Sequence, residues 1–262
     1  MVGNVFIYYI SSGEIKVNGL VPYENRKENS MHMGVVFGQR SQLYWDIPVE
    51  ETFELFKKMY RIDEKRFKEN VEFYVDLLEM GDFIRKPVRT LSLGQKMRAN
   101  LTVALLHDPD VLYLDEPTIG LDVVVKSKIR KFIKAINKEK GTTVILTTHD
   151  MNDIENICDR IILIDQGQIL YDGRLADFKE NYGKQYTMMV QFSDNNIEIK
   201  DSRFNILKED GQFKWLSFLK EDITVAEAVN YLSRNYNIID LSIKEPDIED
   251  IVRRIYENKI AL

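Results

Sequence analysis

The chain has 262 residues, enough for one large domain or a large and a small one. Hydrophobic residues make up 44% and charged residues 30%, the balance of a globular protein. The net charge of −6, from 36 basic and 42 acidic residues, argues against a surface devoted to nucleic acid. One cysteine, Cys158, excludes a disulfide framework and a cysteine-based zinc cluster, and fits a reducing cytosol. No run of eighteen apolar residues is found, so no membrane span is expected. The apolar run Val5–Ile10 is too short for a span and lacks the basic flank and cleavage site of a secretory signal.

In chain order, Gly13–Gly19 alternates like a short strand closed by a turn, and residues 21–32 are polar enough for a loop. Gly34–Gly38 reads as a buried strand with Gln39 just beyond its end. Ser41–Pro48 is an aromatic loop. Pro48 suits the first turn of a helix capped by Asp46, with Phe53, Phe56 and Tyr60 on one face. Phe67, Val71, Tyr74 and Leu78 mark a second helix ending near Gly81. Ser92 looks like the cap of a third, with Met97, Leu101, Ala104 and Leu105 inward.

The apolar strand Val111–Asp115 follows, then an amphipathic helix through Ile129, Phe132, Ile133 and Ile136 that stops near Gly141. Thr143–Leu146 is a β-branched, apolar run that reads as a buried strand, and His149 lies three residues past it. A short helix turns Ile154, Ile157 and Cys158 inward. Ile161–Ile164 and Gln168–Tyr171 pair as a hairpin around Gln166-Gly167. Strands alternating with helices predict an α/β fold with a mostly parallel sheet and chemistry at the C-terminal strand ends. Gln39, Asp115, Glu116 and His149 all fall at such ends.

The texture changes after Gly183. Short strands at 186–192, 204–208, 212–218 and 239–243 accompany a helix opened by the capping box Thr224–Glu227 and a final helix through Ile248, Ile251 and Ile255. The expected division is a domain over 1–183, with a helical subdomain at about 46–108, and a small C-terminal α/β domain over 184–262.

Leu91-Ser92-Leu93-Gly94-Gln95, then Val111–Pro117, then Gly120-Leu121-Asp122 and His149 stand in this order. The set resembles the signature, Walker B, D-loop and switch histidine of ABC-transporter ATPases, and Gln39 sits where that family has its Q-loop glutamine. The resemblance implies a P-loop-NTPase-like sheet with a helical subdomain. It also implies a peripheral subunit on the cytoplasmic face of the cell membrane, working with ATP and Mg²⁺, a permease and a second ATPase subunit, and without nucleic acid. The wording of Gly34–Trp45 resembles the exporter-type branch.

Under this resemblance Asp115 and Gln39 hold Mg²⁺, Glu116 is the general base for water, and His149 positions the water or polarises the γ-phosphate. Ser92, Gly94 and Gln95 present a helix N-terminus to the phosphate of a nucleotide on the opposite subunit, and Asp122 acts across the same interface. Read alone, Ser92 is a helix cap and Asp122 a turn residue. Leu93 stands where the family most often has glycine. Tyr44 and Trp45 suit the cleft that receives a permease helix, with core packing as the alternative. His32 and His107 read as surface or loop residues, and the basic run around Lys126–Lys131 as a solvated helix face.

The phosphate-loop motif G-x-x-x-x-G-K-[ST] does not occur in the chain; the one Gly-Lys pair, Gly183-Lys184, is followed by Gln185. The expectation is therefore an N-terminally incomplete ATPase sheet that does not hydrolyse ATP alone. The alternative is a non-catalytic docking or regulatory subunit that donates its signature motif to a partner ATPase. A soluble DNA-repair or translation ATPase is disfavoured, because neither a coiled-coil insertion nor a second module is visible.

Overall fold

A computed structural model describes residues 12–38 and 40–257. The chain divides into two compact units, Met1–Ile157 and Cys158–Leu262.

In the first unit, the expected strand at 13–19 is reduced to a single bridge between Val17 and Leu20, closed by Asn18 and Gly19 at positive φ. A short helix α1 (Arg26–Met31) stands where the polar sequence suggests a loop. β1 (Met33–Phe37), α2 (Val49–Tyr60), α3 (Glu64–Leu77), α4 (Leu93–Leu105), β2 (Val111–Asp115), α5 (Val123–Lys140), β3 (Thr143–Thr147) and α6 (Met151–Ile157) follow. Asp46 does not cap α2. Pro48 occupies the cap position, and Asp46 pairs with Arg89 instead. α3 is capped by Asp63, whose carboxylate accepts from the backbone N–H groups of Lys65 and Arg66. Ser92 and Gln95 form a reciprocal capping box on α4.

Among the described residues, β1, β2 and β3 form a parallel sheet in that order. β3 is not the buried strand expected: it ends this order, so its residues alternate between exposed and half-buried, with Ile145 exposed. Its register places Phe37, Asp115 and Thr147 on one rung at the C-terminal edge. Val36, Leu112 and Leu114 from the sheet are buried in one core with Leu101 and Leu105 of α4 and Phe132, Ile133 and Ile136 of α5. Phe53, Phe56, Phe67 and Tyr74 extend that core through α2 and α3. Each such side chain contributes about 1.5–3 kcal/mol of apolar burial, which fixes the helices against the sheet. Tyr74 meets Phe132 edge-on at 6.2 Å.

The second unit opens with the antiparallel hairpin β4 (Arg160–Asp165) and β5 (Gln168–Arg174), turned through Gln166 and Gly167, both at positive φ. After α7 (Leu175–Tyr182) come β6 (Gln185–Phe192), β7 (Asn205–Asp210), β8 (Phe213–Leu219), α8 (Val225–Asn235), β9 (Ile238–Lys244) and α9 (Ile248–Tyr256). The antiparallel order is β7-β8-β6-β9. Met188, Val190, Leu216, Phe218 and Leu232 form its core. Thr224 and Glu227 make the expected capping box on α8.

Candidate active site at the C-terminal ends of the parallel strands

Parallel pairing carries the ends of β1, β2 and β3 to one edge, and three backbone and side-chain bonds lock that edge. Gly38 N donates to Asp115 O at 2.7 Å, Glu116 N to Thr147 O at 2.9 Å, and Thr147 Oγ1 to Asp115 Oδ1 at 2.7 Å. Glycine is required at 38, because an added Cβ would lie 2.2 Å from Glu116 O. Glu116 itself sits at φ +51°, in the left-handed region. That turn swings its carboxylate toward the loop after β3. There Glu116 Oε1 accepts from His149 N at 3.1 Å and lies 2.8 Å from His149 Nδ1. A carboxylate only accepts, so the ring contact needs the proton on Nδ1.

Asp115, Glu116 and His149 are thus brought together as the sequence suggests. Gln39 lies outside the described residues. A cleft of about 430 Å³ opens here, lined by Phe37, Gly38, Arg40, Asp115, Glu116 and Ile119. Its adjacent carboxylates suit Mg²⁺, which takes one or two carboxylates and completes its shell with water and phosphate. No group of three metal-ligating side chains forms among the described residues. Among the described residues the lining is a poor match for a triphosphate by itself, since Arg40 is the one cation set against two carboxylates.

Ser92, Gly94, Gln95 and Asp122 form a second cluster. Ser92 Oγ accepts from Gln95 N and Gln95 Oε1 from Ser92 N, so both side chains are engaged in capping α4. Asp122 caps α5 by accepting from Val125 N at 2.9 Å. Gly94 allows α4 to approach α5, because an added Cβ would lie 3.0 Å from Val125 Cγ1. Leu93 is half exposed at this end, beside the strongly exposed Val123 and Val124. Tyr44 and Trp45 are surface residues, 48% and 59% exposed, with Lys96 Nζ 4.6 Å above the Trp45 ring.

A set of residues behind the site escaped the sequence reading. Lys126 and Arg130 of α5 turn inward rather than to solvent. Lys126 Nζ meets Asp150 Oδ2 at 2.6 Å, and Arg130 Nε meets Asp153 Oδ1 at 2.6 Å. The hydrogen bond from Lys126 holds the Asp150 carboxyl below the usual carboxylate range against its burial. Asp153 is wholly buried and also accepts from Thr118 and Thr148. The available signal was pairwise spacing: Lys126 and Arg130 at i, i+4, facing Asp150 and Asp153 at i, i+3.

Comparison with known proteins bears on this geometry. The family model described as ABC transporter matches residues 6–119. The chain is 30% identical to the ABC transporter ATP-binding protein NatA of Bacillus subtilis (strain 168) over 171 residues, covering 65% of this chain and 69% of that protein. It is 28% identical to the linearmycin resistance ATP-binding protein LnrL of the same organism over 246 residues, 91% of this chain and 78% of that one. It is 30% identical to the methionine import ATP-binding protein MetN 4 of Oceanobacillus iheyensis over 230 residues, 86% of this chain and 66% of that one. Among solved structures, cbiO1 from Clostridium perfringens, part of the ABC transporter complex cbiONQ, superposes with a TM-score of 0.59 at 27% identity, covering 67% of this chain and 70% of that one. A dimeric ATP-binding cassette in a post-hydrolysis state bound to ADP and Pi gives a TM-score of 0.51 at 29% identity, covering 64% and 72%. Together with the strand-end carboxylates, the capped N-terminus of α4 and the histidine on Glu116, these matches place the chain in the ATP-binding protein family of ABC transporters.

Proposed function

We propose that this chain is an ATP-binding subunit that couples ATP binding and hydrolysis to transport through a membrane permease, working as one half of an ATPase dimer at the cytoplasmic face of the membrane. The observation that carries the reading is the Glu116–His149 contact beside Asp115 at one strand edge. Asp115, with Gln39, would hold Mg²⁺, which would supply the positive charge that neutralises phosphate oxygens. Glu116 takes the proton of the attacking water, and His149 keeps its carboxylate aimed. Ser92, Gly94 and Gln95 offer the α4 N-terminus to a nucleotide on the opposite subunit, with Asp122 beside it. Tyr44 and Trp45 dock the permease. The division into residues 1–183, with a helical part at about 46–108, and 184–262 belongs to the same proposal, as does the exporter-type assignment; the relatives' names include both a resistance protein and an importer.

The phosphate cradle facing Asp115 is supplied from outside these 262 residues. Support comes from the cleft's charge, one arginine against two carboxylates, and from the motif content of the sequence. The chain then turns over no ATP by itself. A second reading, a non-catalytic subunit that lends its α4 N-terminus to a partner, is favoured by the exposed Leu93, Val123 and Val124 around that end.

Turnover measured on the purified chain, on an ABC ATPase with an intact phosphate loop, and on their mixture tests both. Background activity alone, stimulation in the mixture and its loss with Ser92→Arg in this chain support the proposal. Loss of that stimulation with Glu116→Gln selects the catalytic reading; retention selects the docking one. Turnover by the chain alone that disappears with Glu116→Gln would refute the external cradle.

A further inference from the structure

We infer that Asp153 is a positioning residue that sets the Glu116–His149 pair by stapling together the two loops that carry it. The inference rests on the reading that this pair is the working one. Asp153 stands in the first turn of α6 and is 0% exposed. Its Oδ2 accepts from Thr118 Oγ1, two residues after Glu116, and from Thr148 Oγ1 at 3.3 Å, the residue before His149. Its Oδ1 accepts from Arg130 Nε at 2.6 Å. One carboxylate therefore holds the exit of β2 and the exit of β3 at a fixed separation, with α5 supplying the compensating charge.

The geometry of His149 gives this staple its importance. The His149 side chain is 72% exposed, so packing does little to hold the ring. Its recorded hydrogen bonds are to Glu116, through N and Nδ1. Its place is set by the preceding residue, Thr148, whose Oγ1 donates to Asp153 and accepts from Asp150 N at 3.0 Å. Glu116 is fixed from the other side through Pro117, whose ring restricts φ, and the buried Thr118. A lone buried carboxylate is costly, and an apolar side chain would fill the same space more cheaply. A carboxylate with three donors from three segments gives what an apolar residue does not: a defined distance between two loops.

A merely structural ion pair between α5 and α6 is the competing account, and Thr148 separates the two. Thr148→Val leaves Arg130 and Asp153 paired but releases the histidine loop. The full chain is labelled with ¹⁵N-histidine, and the ring nitrogens are read by NMR in mildly alkaline buffer without nucleotide. The chain has 3 histidines, so His32 and His107 serve as internal markers of the folded state. In the wild type the His149 ring carries its proton on Nδ1, against Glu116. Thr148→Val and Asp153→Asn shift it toward the Nε2 tautomer, Thr148→Ser restores it, and the core variant Ile136→Val leaves it unchanged. If Thr148→Val lowers thermal stability while the Nδ1-protonated signal stays, Asp153 is structural only and the inference fails. Should Asp153→Asn not fold, the Thr148→Val and Thr148→Ser comparison decides alone. No turnover is involved, so failure of the ATPase reading and failure of this one are seen separately.

Discussion

The imidazole of His107 stacks on the ring of Tyr60, with centroids 3.9 Å apart and planes 15° apart. Nε2 donates to Met33 O at 3.1 Å, while Nδ1 is enclosed without a hydrogen-bond partner. Burial pushes this histidine down to about 4, against the pull of the Met33 carbonyl and Asp108. The unfolded chain, with an ordinary histidine, binds a proton first as pH falls. Stability is therefore full above the unfolded value and is lost progressively as pH drops toward 4, by about 3 kcal/mol in all. Denaturant midpoints recorded across that window for the wild type and His107→Phe should diverge, with the shallower slope in the variant. Parallel curves would refute the assignment.

Arg130 neutralises a carboxylate that is shut off from water. Arg130→Met should cost about 3–5 kcal/mol, because Asp153 is left charged and unpaired. Arg130→Met combined with Asp153→Asn should cost clearly less than the sum of the two single changes, since the stranded charge is gone. Urea unfolding of the four proteins measures the coupling, and simple additivity would remove Arg130 from this role.

The two capping boxes make matched predictions in different units. Ser92→Ala and Thr224→Ala should each lower stability by about 1 kcal/mol, and the glycine replacements by only a few tenths. Hydrogen exchange should rise in the first turn of α4 for the first and of α8 for the second. Exchange that stays unchanged in those turns would mean the boxes contribute nothing to helix ends.

Gly38 is where the loop after β1 touches the backbone of Glu116. Gly38→Ala forces backbone against backbone and should cost roughly 1–3 kcal/mol. Gly81→Ala is the control, because nothing lies within 4 Å of its added Cβ. Equal thermal stability of the two variants would contradict the close approach.

What could be read from the sequence was what sequence neighbours encode. Asp115 and Glu116 are adjacent at the end of an apolar run, His149 follows a β-branched one, and Ser92 stands three residues before Gln95, so strand period and capping rules located them. The spacing of Lys126 with Arg130 and of Asp150 with Asp153 was visible, but not that the two pairs face each other, and the Asp153 staple to Thr118 and Thr148 was not legible. Its partners lie 35, 23 and 5 residues away, and polar side chains at those separations carry no periodic signal. Lys126 and Arg130 misled for the same reason: helix charges face water unless acidic groups from another element meet them. His107 does lie in the turn after α4, but its enclosure was not legible because its stacking partner, Tyr60, lies 47 positions earlier, on α2. α1 is too short and polar to announce itself.

Glu116 is held in the left-handed region at φ +51°, a conformation that a side-chain-bearing residue adopts at a cost of about 1–2 kcal/mol. Glycine would relieve that cost, so Glu116→Gly is expected to keep or raise backbone stability while deleting the carboxylate. The carboxylate and the easiest backbone for its position thus pull in opposite directions. A chain with glutamate here carries a standing backbone cost, set against the bonds that its carboxylate makes to His149.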